Sequence, residues 1–476
     1  MEEFKLYING EWTATSEQSD VLDKYSGDTY ASVHQASEKE VDQAVKAADE
    51  AFREGPLPPY ERFKVLKRVS ELMQERKEDL AQTITKEAGK PLKQARTEID
   101  RATQTVELSA EEAKRINGEG VPVEAAPGSE NRMAFTIRVP VGVVGAISPF
   151  NFPLNLVCHK IAPAIAAGNA VVLKPASKTP ITALKLASLL HDAGLPKGFF
   201  NVVVGSGSTV GNQMMKDERI SLYTFTGSAE VGLKLKQNTG MNKLILELGN
   251  NSPVIIDKHA DIEKAAENTA AKSFAFAGQV CISVQRLYVH EEVREEFQKK
   301  FIEAIKNLNV GDPNDPDTDV GPMIGEDEAK GAVEWIEEAK ENGAKVLHGG
   351  KREGALLEPT VLTDVDESMK VVCEEIFAPV VSILPFSDIK EGVKEVNKSK
   401  YGLQGGIFTQ DVDTAFYAAK NVQVGGFMVN DSSQYRVDLM PYGGVKESGW
   451  GKEGPKYTIE DMTEERLIVM NLNNPS

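Results

Sequence analysis

"GVVGAISPFNFPLNLVCHKIAPAIAAGNAVVLK" (residues 142–174) reads as strand, helix, strand. Two continuous apolar runs, 142–147 and 170–174, flank a segment near 154–167 whose spacing suits a helix. Runs that do not alternate with polar residues belong to strands covered on both faces, and a helix between two such strands is the crossover that parallel pairing needs. Pro163 lies inside that helix, so a kink or break is expected there.

Working outward, the same alternation continues. "NVVV" (201–204), "LYTF" (222–225) and "LILEL" (244–248) supply three more strands, with helix-like segments near 180–193, 208–216 and 229–238. This predicts an α/β fold whose first unit is a doubly wound parallel sheet. From residue 253, "PVIID", "RLYVH", "PTVL", "VVSILPF", "GGIFT" and "GFMVN" repeat the pattern and predict a second α/β unit. Upstream, residues 39–115 form an amphipathic helical layer, with Leu66, Val69, Leu72, Met73 and Leu80 recurring at three- and four-residue intervals. Between the two, "EGVPVEAAPGSENRMAFTIRVP" (119–140) extends on either side of a turn-forming stretch and predicts a protruding hairpin that needs a partner surface. The expected organisation is therefore 1–118 with 141–249, then 250–450, with 119–140 and 451–476 as a small β arm and tail.

Composition limits the function. A chain of 476 residues, 41% hydrophobic and 26% charged, is long enough for two or three domains and a cleft between them. Its net charge of −18 argues against nucleic acid or an anionic membrane as the partner. Three cysteines make no disulfide framework, and neither a Cys-x-x-Cys pair nor a histidine cluster suggests a metal, so no metal and a reducing compartment are expected. "MEEFKLYINGEW" has no apolar core of the secretory kind and no run is long enough to span a bilayer, which predicts a cytoplasmic protein.

In open α/β sheets ligands gather beyond the carboxyl ends of the strands. "SPFNFP" there presents Asn151, and "AVVLK" ends on Lys174 before "PASKTP". "GSGSTVG" (Gly205, Gly207, Gly211) and "TGSAEVG" (Gly227, Ser228) offer strand-to-helix turns with free N–H groups for a phosphate. The first departs from the G-x-G-x-x-G dinucleotide fingerprint, and either alone suits a purely structural turn; the pair, together with Lys174, favours a nucleotide phosphate. Glu247 sits among apolar residues in "LILEL", where partial burial would raise its pKa and make it a general base; a wet strand face is the simpler alternative. "FAFAGQVCISVQR" (274–286) places Cys281 between a loop and a β-branched run. It is either a small buried hydrophobe or a nucleophile, and in the second case Glu247 is a better candidate base than any of the six scattered histidines.

"PFNFP", "VVLKPASKTP", "FTGSAEVG", "LELGNNSP", "FAFAGQVCISVQR", "EEIFAPV" and "PYGGVKESGWGKEG" occur in the order and spacing of the aldehyde dehydrogenase superfamily, which the chain resembles from "LYINGEW" to its tail. The resemblance implies a Rossmann-like cofactor-binding domain (1–118, 141–249), a catalytic domain (250–450) and an oligomerisation arm and tail (119–140, 451–476). It also implies Cys281 as nucleophile, Glu247 as base, Asn151 as half of an oxyanion hole completed by the Cys281 N–H, and Lys160 with Glu464 in a proton-relay path. Lys174, Gly227, Ser228 and Glu375 correspond to contacts with the cofactor, with Gly207 and Gly211 in the glycine turn and Phe377 beside the nicotinamide. The implied reaction is NAD(P)-dependent oxidation of a short polar aldehyde to its acid through a thiohemiacetal and thioester; acyl transfer to coenzyme A and a non-catalytic structural protein are the alternatives.

Three positions depart from the family pattern. Asn250 replaces a glycine, Phe150 replaces a tryptophan in the wall of the substrate tunnel, and Ser177 stands where a glutamate often selects NAD, so NADP is expected to be accepted. Within the family the chain resembles lactaldehyde and succinate-semialdehyde dehydrogenases, both of which take short polar aldehydes. Arg436, in "NDSSQYRVDLMPYGG", is read either as a surface arginine paired with Asp438 or as the grip on an anionic substrate at the tunnel mouth. A homo-oligomer, dimer or tetramer, is implied as well.

Overall fold

The computed structural model describes residues 2–472; residue 1 and residues 473–476 of the expected termini lie outside it. An eight-stranded sheet contains, in spatial order, Gly449–Trp450, Lys243–Glu247, Ile220–Thr226, Val143–Ile147, Ala170–Lys174, Phe200–Val202, Leu6–Ile8 and Glu11–Thr13. Its five central strands are parallel, and antiparallel strands close both edges. Chain order reverses at Val143–Ile147, with later strands added on one side and then the other. The crevice beyond the carboxyl ends at that switch is where such sheets bind ligands.

Four helices, Glu38–Glu54, Pro59–Glu75, Lys77–Ala88 and Leu92–Ala113, form the amphipathic layer. The first begins at a capping box, with the Ser37 hydroxyl on Lys39 N–H and the Glu40 carboxylate returning to Ser37 N–H. The expected break at Pro163 does not occur: the helix Asn155–Ala167 runs through it. Every residue of that helix is buried, and packing against the sheet and the helix Leu92–Ala113 outweighs the local cost of the proline.

The second sheet runs Lys345–His348, Thr360–Thr363, Val380–Phe386, Arg286–His290, Pro253–Ile256, Gln404–Phe408 and Gly426–Val429, parallel except at its first strand. Each sheet has its own buried apolar core. The arm is a third sheet, in which Arg132–Pro140 pairs along its whole length with Thr463–Asn471, from Thr463 opposite Pro140 to Asn471 opposite Arg132.

The stretch from Tyr442 to Met462 does not follow the expected division. Tyr442, Ile459 and Met462 belong to the first core, Gly449–Trp450 is an edge strand of the first sheet, and the helix Pro455–Asp461 packs on Asn155–Ala167. The chain therefore returns from the second unit to the first before it enters the arm, and this return lies across the cleft between them.

Candidate active site

Asn151 follows the strand Val143–Ile147 and is buried. Its Nδ2 donates to the carbonyl of Gln279 at 2.8 Å, which ties it to the loop carrying Cys281 and leaves its second amide hydrogen for another acceptor. Its own carbonyl accepts from Lys90 Nζ at 2.7 Å. Lys90 is fully buried, ion-paired with Glu98, and lies between the rings of Phe152 and Phe276, 3.7 and 4.6 Å from their centroids. Glu98 accepts in turn from the N–H groups of Leu154 and Asn155. This pair fixes the Asn151 loop, and nothing in its local sequence distinguished it from surface charge.

Cys281 is partly exposed, in the loop between the helix Ile262–Phe274 and the strand Arg286–His290. Phe276, Ala277 and Gly278 precede it with φ of 49°, 52° and 69°, a left-handed run that costs non-glycine residues free energy. A Cβ on Gly278 would overlap the carbonyl of Ala378, beside Phe377, which is itself left-handed at φ 49°. Asn250 explains its departure from the family pattern: its Nδ2 donates to the carbonyl of Cys281 at 3.1 Å and to Ser252 Oγ at 2.5 Å.

Glu247 ends its strand fully inside the protein, and neither carboxylate oxygen has a hydrogen-bond partner among the described residues. Burial and the nearby Glu453 push its pKa well above the usual carboxylate range, only partly offset by Arg436, Lys160 and Lys452. Lys160 Nζ donates to Thr226 Oγ1 at 2.6 Å and to Glu453 Oε1 at 3.1 Å. The pairing of Lys160 with Glu464 is thus corrected. Glu464 lies on the arm strand with its side chain 55% exposed and is ion-paired with Lys243, because nearly the whole of that strand is open to solvent on both faces. Glu453, in the quoted "GKEG", is the buried partner the sequence reading passed over.

Arg436 is also placed differently from expectation. It does not line an open mouth: its side chain is only 5% exposed, with Nη2 3.1 Å from Glu453 Oε2 and 3.1 Å from His159 Nε2. Asp438 pairs with Arg101 and His159 instead, at 3.0 and 2.8 Å. The Arg436 guanidinium stacks on Tyr442, Cζ 3.5 Å from the ring centroid, and Tyr442 Oη lies 3.0 Å from Cys281 Sγ. Tyr442 was within a quoted motif but had not been singled out.

The remaining residues surround the cleft at the switch of the first sheet. Lys174 is buried with the Pro175 carbonyl as its only partner among the described residues, and burial lowers its pKa to about 8. Ser177 Oγ donates to the Gly205 carbonyl, and the neighbouring Lys178 is paired with Glu328. Gly207–Gly211 forms a wide helical turn capped by Ser206, and Ser228 caps the helix Ala229–Asn238. The Gly227 N–H bonds to the Glu247 carbonyl. Ser228, Leu248, Glu375, Tyr401 and Trp450 line one continuous cavity. Burial lifts Glu375 to about 8, against the opposing effect of the Asn250 N–H that its Oε1 accepts. Phe377 meets Phe150 edge to face at 5.9 Å. A buried cation at a strand end, two capped helix starts and a desolvated carboxyl, set around the carboxyl end of the first sheet, suit a dinucleotide's phosphates and ribose. Among the described residues no helix is long and apolar enough to cross a membrane.

Comparison with known proteins agrees with this geometry. Residues 12–468 match the model of the aldehyde dehydrogenase family. A 3-sulfolactaldehyde dehydrogenase of Priestia aryabhattai is 53% identical over 99% of both chains, and a lactaldehyde dehydrogenase of Methanococcus maripaludis 42% identical over 98% of this chain and 100% of its own. Aldehyde dehydrogenase 21 of Physcomitrella patens, solved with the reaction product succinate, superposes with a TM-score of 0.95 at 43% identity, covering 99% of this chain and 98% of its own. The NADP-dependent glyceraldehyde-3-phosphate dehydrogenase of Bacillus halodurans, solved with NADP, does so at 0.97 and 37%, covering 99% and 100%. The chain belongs to the aldehyde dehydrogenase family and is an NAD(P)-dependent aldehyde dehydrogenase.

Proposed function

We propose that this enzyme oxidises a short aldehyde carrying a sulfonate, carboxylate or phosphate to its acid, through a thiohemiacetal and a thioester on Cys281. The observation that carries the reading is the charge beside the nucleophile. Arg436, Lys160 and Arg101 face two carboxylates, Glu453 and Asp438, that stay ionised although burial works against them. Positive charge is left in excess in a pocket of low dielectric, where an anion is strongly attracted. The named substrate or product of three of the four relatives above carries such a group, and lactaldehyde does not.

In this reading the Cys281 sulfur attacks the aldehyde carbon, the carbonyl electron pair moves to oxygen, and Asn151 Nδ2 with the Cys281 N–H stabilises that oxyanion. The chemistry that bound NAD(P) supplies is acceptance of the hydride. Glu247, its pKa raised by burial and by Glu453 and its carboxylate without a hydrogen-bond partner among the described residues, then takes a proton in its ionised form from the water that hydrolyses the thioester. A base available for hydrolysis favours water over coenzyme A as acyl acceptor. For the cofactor, the lack of a carboxylate at Ser177 and the isolated Lys174 support use of NADP. For assembly, Leu467, Val469 and Met470 are exposed on the arm strand, which supports a homo-oligomer formed through it.

Cys281→Ser should remain folded and lose nearly all oxidation, while Glu247→Gln should give a rapid burst of one reduced cofactor per subunit followed by slow turnover. Substantial steady-state activity in the serine variant, read as reduced-cofactor absorbance, would remove Cys281 from the mechanism. Arg436→Gln should raise KM for an anionic aldehyde by a factor equivalent to about 1.5–3 kcal/mol, with a much smaller effect on a neutral aldehyde of equal length. Equal effects on both would leave Arg436 a purely structural ion-pair member. Ser177→Glu should move the NADP/NAD ratio of kcat/KM at least about tenfold toward NAD, since a carboxylate repels a 2′-phosphate. Sedimentation at micromolar concentration should show a dimer or tetramer; a species of monomer mass alone would contradict assembly through the arm.

A further inference from the structure

Tyr442 has no part in the chemistry derived above, yet no other side-chain hydrogen bond to the Cys281 sulfur occurs among the described residues, with Oη at 3.0 Å from Sγ. The ring is 2% exposed and rigidly placed. Its N–H donates to the Glu453 carbonyl at 3.0 Å and its carbonyl accepts the Glu453 N–H at 2.6 Å, so its backbone is bridged to the residue whose carboxylate holds Arg436. Arg436 in turn covers the ring face at 3.5 Å. A cation over a phenol draws electron density from it and makes the hydroxyl a stronger donor.

We propose that Tyr442 is a catalytic residue whose O–H donates to the Cys281 sulfur and stabilises it as the thiolate before attack; this rests on the reading of Cys281 as the nucleophile. Four groups face that sulfur. Glu247 comes from the strand Lys243–Glu247 and Glu375 from the loop before Phe377, while Arg436 comes from the loop before the "PYGG" turn and Tyr442 from the segment that returns to the first unit. Burial raises the Cys281 thiol to about 11, the Tyr442 hydrogen bond and Arg436 lower it, and Glu375 and Glu247 raise it. Burial and Cys281 itself push the Tyr442 phenol well above its ordinary value, so it remains protonated and serves as a donor. The thiol proton leaves to water, the sulfur pair forms the C–S bond as the carbonyl π pair moves to oxygen, and the phenolic proton stays on Oη throughout.

Tyr442→Phe keeps the ring and its stacking and removes only the donor. The test follows the pH dependence of Cys281 alkylation by iodoacetamide in a Cys373→Ser background, with the modified site located by mass spectrometry, alongside thiolate ultraviolet absorbance. The thiolate should titrate at least about one pH unit higher in the phenylalanine variant, with alkylation at neutral pH slowed about tenfold or more, as expected for loss of a hydrogen bond to a charged group. The acid limb of kcat/KM should move by the same amount. An unmoved titration midpoint, whether or not alkylation is slower, would overturn the proposal. Turnover retained by Cys281→Ser would instead overturn the reading of the nucleophile on which it rests.

Discussion

The carboxylate of Glu453 is buried with 1% of its side chain exposed, and it is held from both sides: Lys160 at 3.1 Å on one oxygen and Arg436 at 3.1 Å on the other. Three parts of the chain meet on that one anion: the first crossover helix, the loop before the "PYGG" turn, and the segment returning from the second unit. Taking away either cation would leave charge uncompensated in the interior, which typically costs about 3–5 kcal/mol. The site therefore keeps its geometry only while all three segments are in place. The chain's return to the first core at Tyr442–Met462 is consequently a requirement of the site and more than a route to the arm.

A second constraint acts on the loop that carries Cys281 from the opposite side. Its left-handed residues persist because neighbouring groups over-determine them. Phe276 lies against the Lys90 ammonium, its N–H bonds to Gln94 Oε1 at 3.0 Å, and the Gln279 side chain reaches the N–H of Ile324 at 2.8 Å. The helical layer thus holds both Asn151, through Lys90, and the approach to Cys281, through Gln94. Asn151 and Cys281, carried on loops of different sheets, are thereby held at a fixed separation by one scaffold.

How far the sequence could be read depended on the range of the cause. The parallel sheets were legible because a strand buried on both faces leaves a local apolar run, as in "AVVLK", and the site residues at strand ends followed from where such sheets bind ligands. Pro163 misled because its local cost is smaller than the packing around a wholly buried helix. Motif similarity pointed to Glu464 and did not reach Glu453; what separates them is burial, and Glu464 is exposed because it pairs in the arm strand, about 320 residues from its partner. Arg436 was recognised as a charge of interest, but its neighbours come from three distant segments, so its burial left no local trace. Lys90, Glu98 and Tyr442 were missed for the same reason.

Two carboxylates in one pocket end in opposite states, and this difference organises the chemistry. Glu453 and Glu247 are both buried, and they raise each other's cost of ionisation. The direct ion pairs go to Glu453, so it carries the charge, while Glu247 has cations near but none bonded to it and is pushed toward the neutral form. Environment alone divides them into a fixed counter-ion and a carboxyl whose pKa is raised. The same fixed anion limits how far Arg436 can serve other groups: its Nη2 is committed to Glu453 and His159, whereas its Nε has no partner among the described residues. Its influence on Cys281 therefore passes through field and through the Tyr442 ring rather than through a direct bond, which lets the cation favour negative charge on sulfur, oxyanion or substrate without being tied to any one of them.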